Sequence, residues 1–331
     1  MVAARGAAMS ALERGPVAVL GFGNQGGPQA RMLRASGLEV RVGARLDHES
    51  AARARAQGFD VRDGQSAVRG AATLALMLPD EAVPDVWKLV EPAIEPGAAV
   101  VFAHGYSLLY GELSLERTGD VVLVSPAGPG RLLEPAPDRA PLSAYLAVHR
   151  EATGGAWALA EDYARRLGCA PTWRTTVREE TEVDLFGEQA VLCGGMNALV
   201  RAAFEVLTEA GYSPEIAYLE CVHQLKHLAD LLHERGVQGL RRSISGTALF
   251  GDVTRGPRVI GESTRTAMRE ILGEIRSGEF AREWDAEVAA GRPRIRRAMA
   301  EGDGHPMEAV RRRIVPGAGS SDGPDSSTQT G

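Results

Sequence analysis

Two pairs of polar side chains in the second half of the chain have the spacing of groups that share one face of a helix. Asp184 and Glu188 lie four residues apart, as do Glu220 and Gln224. Carboxylates placed in this way on a rigid helix can bind Mg²⁺, which takes a few carboxylate ligands together with water and substrate oxygens. The first pair can equally be a charged helix surface. In the second pair, Gln224 offers a neutral amide, which is a weaker ligand than a carboxylate.

A glycine-rich segment near the start of the chain has the pattern of a dinucleotide-binding turn. Apolar residues 17–20 predict a buried strand, the sequence G-x-G-x-x-G follows, and residues 29–35 predict a helix. Gly21 permits the tight turn, and Gly23 lets the backbone approach a pyrophosphate. Gly26 lets the helix lie close to the strand. The helix N-terminus attracts the phosphate charge. A purely structural glycine-rich turn is the alternative. The residues predicted to contact the dinucleotide are Gly21, Phe22, Gly23, Asn24, Gln25 and Gly26.

The polar segment after the second predicted strand lies where a Rossmann domain selects between NADH and NADPH. Arg45, His48 and Ser50 can hold a 2′-phosphate, whereas Asp47 and Glu49 would repel one. Because no acidic residue stands at the end of the strand itself, the segment favours NADPH, with NADH possible. A solvated polar loop without a role in binding is the alternative.

The elements that must position these groups fall into two classes. Apolar strands alternate with helices up to about residue 178, and from about residue 180 the periodicity is helical throughout. Ligands of a doubly wound sheet bind beyond the carboxyl ends of its strands, which is where His104 and the loop 126–130 lie. The predicted strands are 17–20, 39–42, 72–78, 98–103, 121–124 and 142–148, and the predicted helices are 29–35, 82–90, 155–167, 185–210, 213–235, 264–277 and 278–290.

The fold class predicted from this pattern is an α/β Rossmann domain followed by an all-helical domain. The domain boundaries follow from the change of periodicity and from the composition of the two ends. The predicted segments are an N-terminal extension (1–15), the dinucleotide-binding Rossmann domain (16–178), a helical dimerisation and substrate domain (179–315) and a disordered tail (316–331).

The composition excludes several classes of partner. A formal net charge of −6 without a basic face argues against nucleic acid. No apolar run reaches transmembrane length and residues 1–14 contain no long apolar region, so neither a membrane partner nor a signal peptide is expected. Cys169, Cys193 and Cys221 lack CxxC spacing and suggest a reducing compartment, with no disulfide framework and no zinc site. The expected location is the cytoplasm.

Several longer motifs resemble those of ketol-acid reductoisomerase, in the short form with one Rossmann domain and one helical domain. The resemblance covers residues 17–313. The motif from Glu179 to Gly195, which includes Asp184-Leu185-Phe186-Gly187-Glu188-Gln189, is the most specific. The other motifs are 21–26, Leu78-Pro79-Asp80-Glu81, Phe102-Ala103-His104-Gly105, Ser243-Ile244-Ser245, 254–258 and 277–284.

The resemblance implies an activity and a set of site residues. In the family, two Mg²⁺ ions drive an alkyl shift in an acetohydroxy acid, and NADPH then reduces the resulting 2-keto acid. Family dimers interleave their helical domains, so the resemblance also implies a homodimer with a shared active site. By this resemblance Ser245 holds the substrate carboxylate, and Asp184, Glu188 and Glu220 are the metal ligands. The implied catalytic residues are His104, Asp184, Glu188, Glu220 and Ser245, and further cofactor contacts are Leu78, Pro79, His104 and Gly130.

Two positions depart from the family pattern where the isomerisation is catalysed. A lysine of the family is Ala127 here, and a metal-binding glutamate of the family is Gln224. Beyond Ser245, Gly246, Leu249 and Phe250 replace more polar family residues. These departures leave open whether Mg²⁺ still binds. They predict an NAD(P)H-dependent reductase that acts on a C=O, C=N or activated C=C bond in a specialised pathway, without alkyl migration. The alternatives are a working Mg²⁺-dependent reductoisomerase of branched-chain amino-acid synthesis and a non-catalytic dinucleotide-binding protein.

Overall fold

The computed structural model describes residues 11–137 and 139–315. Contacts divide the chain into two units, Met1–Val183 and Asp184–Gly331. This division and the boundary predicted at 178/179 both fall inside one helix, Val177–Gly187. Within the predicted N-terminal extension, the structure describes residues 11–15, where Leu12 is fully buried. The predicted disordered tail lies outside the described residues.

The described part of the first unit contains one sheet of eight strands. Its strands are β1 Val17–Leu20, β2 Val40–Gly43, β3 Asp60–Arg62, β4 Thr73–Leu76, β5 Ala99–Phe102, β6 Val121–Pro126, β7 Ala144–Arg150 and β8 Thr172–Arg174. The spatial order is β3-β2-β1-β4-β5-β6-β7-β8. Neighbouring strands are parallel except β6 and β7, which pair antiparallel.

Helices cover the sheet and make up the second unit. Those that begin in the first unit are α1 Gly26–Ala35, α2 Glu49–Ala56, α3 Gly64–Val68, α4 Val83–Val90, α5 Tyr106–Leu109, α6 Ala156–Arg166 and α7 Val177–Gly187. Those of the second unit are α8 Gly194–Glu209, α9 Pro214–Tyr218, α10 Gln224–Ser243, α11 Gly246–Val259, α12 Glu262–Ser277, α13 Glu279–Ala289, α14 Pro293–Asp303 and α15 Pro306–Ile314. The predicted fold class, an α/β domain followed by a helical domain, is confirmed.

Both faces of the sheet are buried. Val17 and Val19 of β1 belong to one hydrophobic core, and the alternating residues Ala18 and Leu20 belong to the other. Successive side chains of a strand point to opposite faces, so a strand covered on both sides must be apolar at every position. This is why the strands are recognisable in the sequence as unbroken apolar runs.

The least apolar elements of the first unit were not predicted. Strands β3 and β8 have three residues each, and every residue of β8 is exposed. A short polar strand at a sheet edge has no hydrophobic pattern to reveal it. Helix α1 begins at Gly26 rather than at residue 29, because Gly26, Gly27 and Pro28 form its first turn. Proline is tolerated there since the first turn has no intrahelical N–H bond to lose.

The sheet topology places the predicted cofactor turn at a ligand-binding position. Strand β1 lies between β2 and β4, so the chain builds the sheet outward on both sides of the β1–β4 boundary. Ligands of open α/β sheets bind outside the carboxyl ends of the strands at such a reversal. The glycine-rich turn follows β1, and the segment beginning at Met77 follows β4.

The described part of the second unit contains no strand, and its helices are interrupted at two π-helical turns and at Gly236, whose backbone (φ 64°, ψ 178°) is non-helical inside α10. The stretches predicted as long helices at 185–210 and 213–235 each contain a π-helical turn, Glu188–Leu192 in the first and Leu219–His223 in the second. A π turn inserts an extra residue into a helix and is frequent at functional sites. Each of these turns contains a predicted metal ligand, Glu188 or Glu220.

One helical stretch of the described residues is long and apolar enough to cross a membrane by length and composition alone. It runs from Val177 to Glu209, and an 18-residue window within it has a mean hydropathy of 1.5. The expectation that no apolar run reaches this length is wrong by this test, because α7, the first π turn and α8 form one continuous helix despite Asp184 and Glu188. A single such helix is weak evidence for a membrane, since helices packed on protein pass the same test.

Candidate active site

The turn after β1 shows why each of its three glycines is present. Gly21 has a positive φ of 96°, and a Cβ atom there would lie 2.5 Å from the Met77 carbonyl oxygen. A Cβ atom on Gly26 would overlap the carbonyl oxygen of Gly21. At Gly23, by contrast, no atom lies within 4 Å of the Cβ position. Packing within the chain therefore explains Gly21 and Gly26, whereas Gly23 leaves the backbone open to a ligand.

The N-terminus of α1 is prepared for an anion. Gln25 occupies the N-cap position without making a side-chain cap, and the first turn contains no acidic residue. The N–H groups at a helix N-terminus carry partial positive charge and bind phosphate where no side chain caps them. Together with the open backbone at Gly23, this arrangement fits the pyrophosphate of a dinucleotide.

The loop after β6 packs directly on the glycine-rich turn. A Cβ atom on Gly130 would overlap the carbonyl oxygen of Asn24. The Gln25 amide donates a hydrogen bond to the Gly128 carbonyl oxygen over 3.3 Å. The predicted cofactor residues at both places are therefore adjacent, and Ala127 lies in the loop that they hold.

A buried chain of hydrogen bonds extends this contact into the core. The Tyr163 hydroxyl donates to Gln29 Oε1 at 2.9 Å, and Gln29 Nε2 donates to Gln25 Oε1 at 3.3 Å. Gln29 and Tyr163 are both fully buried. Burial raises the pKa of Tyr163 far above its ordinary value, so the phenol remains a hydrogen-bond donor. Helix α6 thus fixes the position of α1. Through the side chain of Gln25 it also fixes the loop that contains Ala127. Neither Gln29 nor Tyr163 was predicted.

Replacing Tyr163 with Phe tests this chain of hydrogen bonds. The change leaves Gln29 Oε1 without its donor in a fully buried position, which costs about 1–3 kcal/mol. We expect the free energy of unfolding, measured by urea denaturation, to fall by that amount, and the affinity for NADPH to fall with it. The control is Tyr145→Phe, since Tyr145 is exposed on β7. Equal stability of the two variants would contradict the assignment.

His104 faces a buried carboxylate, that of Glu180, which was not predicted from the sequence. It follows β5, and its Nδ1 atom lies 3.5 Å from Glu180 Oε1. The Glu180 side chain is 1% exposed, and its Oε2 atom accepts hydrogen bonds from the Gly105 N–H at 3.2 Å and the Thr181 hydroxyl at 3.3 Å. A Cβ atom on Gly105 would overlap Thr181, so glycine lets the two segments meet. The separation of 3.5 Å is an electrostatic contact rather than a hydrogen bond, and Glu180 Oε1 has no hydrogen-bond partner among the described residues, so the carboxylate is positioned to interact with the imidazole.

The sequence contained a signal for Glu180. It lies four residues before Asp184, which lies four residues before Glu188. Three carboxylates repeat at helical spacing, and Glu180 is also part of the motif from Glu179 to Gly195. Extending the Asp184–Glu188 spacing by one turn toward the N-terminus reaches Glu180.

Replacing Glu180 with Gln tests the role of this carboxylate. Gln keeps the volume and an oxygen acceptor for the Gly105 N–H but removes the charge that faces His104. We expect kcat for cofactor oxidation to fall about 10- to 100-fold, the usual effect of removing a group that orients an imidazole. The control is Glu179→Gln, because Glu179 is exposed and accepts a hydrogen bond from Thr175. A kcat equal to that of the control would exclude a functional role.

The segment predicted to select the cofactor caps a helix. His48 is the N-cap of α2, and its Nδ1 atom accepts a hydrogen bond from the Ser50 N–H at 3.2 Å and lies 2.8 Å from the Ser50 hydroxyl. Glu49 forms an ion pair with Arg53 on the exposed face of α2. Arg45 and Asp47 are exposed beyond the end of β2. Two of the residues predicted to hold a 2′-phosphate therefore also have a structural role.

The predicted metal ligands of the second unit have the predicted spacing but do not form a metal group. The Gln224 amide donates a hydrogen bond to Glu220 Oε2 at 2.6 Å, so one oxygen of this carboxylate is already hydrogen-bonded. Asp184 is half-buried and Glu188 is exposed. Across the described part of the chain, no group of three or more His, Cys, Asp or Glu side chains is arranged to hold a metal ion. The carboxylates of one described chain do not by themselves form a site for two Mg²⁺ ions.

Ser245 is a helix cap. Its hydroxyl oxygen accepts a hydrogen bond from the Ala248 N–H at 3.2 Å, at the start of α11, and lies 3.1 Å from the Thr247 hydroxyl oxygen. A hydroxyl that accepts in a cap retains its own proton for donation to a ligand. Either hydroxyl of the Ser245–Thr247 pair can be the donor between them, and the exposed position of Ser245 leaves its hydroxyl accessible.

Comparisons with known proteins agree on one family. Residues 11–172 match the model of the acetohydroxy acid isomeroreductase NADPH-binding domain, and residues 177–316 match that of the ketol-acid reductoisomerase C-terminal domain. The structure is similar to that of an NADH-preferring ketol-acid reductoisomerase from an uncultured archean, with a TM-score of 0.88 and 33% identity over 92% of this chain and 96% of that one.

More distant structures share the fold alone. A semialdehyde dehydrogenase NAD-binding protein from Cupriavidus necator has a TM-score of 0.61 and 18% identity over 80% of this chain and 99% of that one. A 1-pyrroline-5-carboxylate reductase from Streptococcus pyogenes has a TM-score of 0.53 and 12% identity over 79% of this chain and 98% of that one. The two family models and the 33% identical relative carry the assignment: the chain belongs to the ketol-acid reductoisomerase family and is an NAD(P)H-dependent oxidoreductase.

Proposed function

We propose that this protein reduces a small molecule with a nicotinamide cofactor and does not catalyse the alkyl migration of its family. The observation that carries the proposal is the pair of neutral groups at positions 127 and 224. Ala127 presents only a methyl group, and Gln224 presents an amide that is hydrogen-bonded to Glu220. The family resemblance assigns a lysine and a glutamate to these two positions.

The two half-reactions of the family place different demands on a site. Alkyl migration needs a strongly polarised carbonyl and an alkoxide stabilised by cations. Replacing a carboxylate by an amide weakens a metal site, and replacing an ammonium by a methyl group removes a charged donor. Removing one preorganised donor commonly lowers kcat about 10²- to 10³-fold. Both changes therefore act on the migration.

The reduction depends on groups that this chain retains. The cofactor supplies the hydride when it is bound, and the protein positions it. The open backbone at Gly23 and the uncapped N-terminus of α1 are suited to bind its pyrophosphate. His104, oriented by Glu180, can donate a proton to the atom that becomes electron-rich when the double bond is reduced. The substrate class is a C=O, C=N or activated C=C bond of a small molecule from a specialised pathway.

A working reductoisomerase is the second candidate. It is favoured by the 33% identity, over nearly the whole chain, to a protein described as a ketol-acid reductoisomerase. In this reading Asp184, Glu188 and Glu220 hold Mg²⁺ and substrate, and Gln224 supplies a neutral oxygen.

We propose NADPH as the preferred cofactor, with Arg45 as the main contact to its 2′-phosphate. His48 and Ser50 stand at the N-terminus of α2, where the Ser50 N–H is already capped by His48 and Glu49 lies in the first turn, so the charge of Arg45 rather than the helix dipole carries the contact. The relative described as NADH-preferring makes NADH the competing choice. The ratio of the two dissociation constants, measured for wild type and Arg45→Ala, distinguishes them. If the ratio is the same in Arg45→Ala and in wild type, Arg45 does not contact the cofactor.

The experiment that tests the proposed function is a set of NADPH and NADH oxidation assays. The substrates are 2-acetolactate, 3-hydroxy-3-methyl-2-oxobutanoate, and metabolites of the enzymes encoded beside this gene. We expect oxidation with a compound that needs no rearrangement. Oxidation with 2-acetolactate at the highest rate of the set would favour the second candidate, and cofactor binding without oxidation would favour a non-catalytic role.

We also propose a homodimer with a shared active site. Large apolar side chains of the second unit are exposed in the single chain, including Val206, Leu232, Phe250 and Val259. Exposed apolar surface of this extent marks an interaction site. We expect a dimer by light scattering at micromolar concentration. A monomer under these conditions would contradict the proposal.

A further inference from the structure

Two histidines stand one turn apart on the exposed surface of the second unit. His223 ends the second π turn and His227 lies in the first turn of α10. Their ring centroids are 5.6 Å apart, and the ring planes are inclined at 72°. Both side chains are exposed. The four-residue spacing of the two histidines places both imidazoles on one side of the helix.

The two histidines belong to a polar stripe of α10. Asp230 and Glu234 follow His227 at intervals of three and seven residues, so all of them share one face. The opposite face is apolar and carries Leu228 and Leu232, both about two-fifths exposed. A partner that covers the apolar face leaves the histidine stripe on the other side.

We propose that His223 and His227 chelate a divalent transition-metal ion of the class that prefers imidazole, such as Zn²⁺, Ni²⁺ or Co²⁺. Two histidines at this spacing on one helix face bind zinc in metalloproteases together with a third protein ligand, so the spacing is one that a metal can use. Imidazole selects these ions over Mg²⁺, which prefers oxygen ligands. The described residues contain no group of three or more ligating side chains, so the pair supplies two ligands and water completes the coordination.

The neighbouring carboxylates add negative potential around the pair and include Glu220, one of the predicted metal ligands. Glu220 precedes His223 by three residues and Asp230 follows His227 by three, so each lies near the pair. A metal ion with open coordination positions can polarise a bound C=O or C=N group. The role of the ion in catalysis rests on the proposed function, whereas its binding does not. The absence of a zinc site was predicted from cysteine spacing, which does not bear on a histidine pair.

The test is a titration of the untagged, full-length protein with NiCl₂, followed by isothermal calorimetry, with MgCl₂ as the comparison ion. The variant is His227→Ala, and the matched control is His233→Ala, which removes another exposed histidine of α10 from outside the pair. We expect His227→Ala to weaken Ni²⁺ binding at least tenfold and His233→Ala to leave it unchanged. His223→Ala must give the same loss as His227→Ala, and circular dichroism must show that all variants keep the helix content of wild type.

Two results would overturn the proposal. One is Ni²⁺ binding that His227→Ala and His223→Ala do not weaken, and the other is an equal loss in the His233→Ala control. If one variant of the pair loses helix content, the other decides the outcome. The titration needs no substrate, so its outcome is independent of the reductase assay. Ni²⁺ binding can be absent in a working reductase, and it can be present if the protein proves to be a reductoisomerase.

Discussion

Replacing Gly23 with Val is expected to abolish binding of the nicotinamide cofactor. Apart from the chain neighbours of Gly23, no atom of the described residues lies within 4 Å of its Cβ position, so the valine side chain would fill the position left open for the pyrophosphate. Hydrogen bonds from N–H groups to a charged partner contribute about 1.5–3 kcal/mol each, and losing two of them lowers affinity by about 100-fold or more. Fluorescence titration with NADPH measures this loss directly.

The control for this variant is Gly302→Val. Gly302 lies in α14 and also has no atom within 4 Å of its Cβ position, so the substitution is sterically similar but remote from the turn. The thermal unfolding midpoint of Gly23→Val should remain near that of the control. Wild-type affinity for NADPH in Gly23→Val would show that the dinucleotide does not bind at this turn.

Restoring the two family groups is expected to restore the family reaction. The double variant Ala127→Lys with Gln224→Glu returns a charged donor to the loop after β6 and a second carboxylate to the start of α10. One such donor commonly changes kcat about 10²- to 10³-fold, so we expect acetolactate turnover with Mg²⁺ to rise by at least that factor. The measurement is NADPH oxidation with 2-acetolactate at saturating Mg²⁺.

The matched control for the double variant keeps its size without the new cation. Ala127→Met with Gln224→Glu adds a chain of similar length at position 127 but no charge, and it should gain much less turnover. If neither variant gains activity, the apolar residues Leu249 and Phe250 also exclude the substrate, and two positions alone do not explain the difference. The oligomeric state of both variants, measured by light scattering, must equal that of wild type.

The fold was largely predictable because its buried parts carry strong patterns. Strands β1, β4, β5 and β6 are covered on both faces, so their sequences are apolar except at Thr73 of β4 and Ser125 of β6, and glycines mark the turn that follows β1. Strands β3 and β8 lie near the sheet edges, where no burial pattern distinguishes them from loops. The π turns at Glu188 and Glu220 could not be predicted, because the residue types of a π turn do not differ from those of the α-helix around it.

The site was predictable in its exposed residues and less so in its buried ones. Gly23 and His104 stand at strand ends, where topology alone suggests a ligand. Glu180, Gln29 and Tyr163 act through other residues, and a buried polar side chain acquires its partner only when distant segments fold together. His48 and Ser245 show the converse, since each was selected for a ligand and each also caps a helix.

The central claim is that the protein reduces without rearranging, and one comparison tests it directly. Wild-type protein is assayed at saturating NADPH and Mg²⁺ with 2-acetolactate and, separately, with 3-hydroxy-3-methyl-2-oxobutanoate, the keto acid that needs only reduction. The account predicts no useful turnover of acetolactate and a measurably higher rate with the keto acid, even if that compound is a poor substitute for the natural substrate. Turnover of acetolactate at an ordinary enzymatic rate, about 1 s⁻¹ or more, would contradict the account and identify a working reductoisomerase.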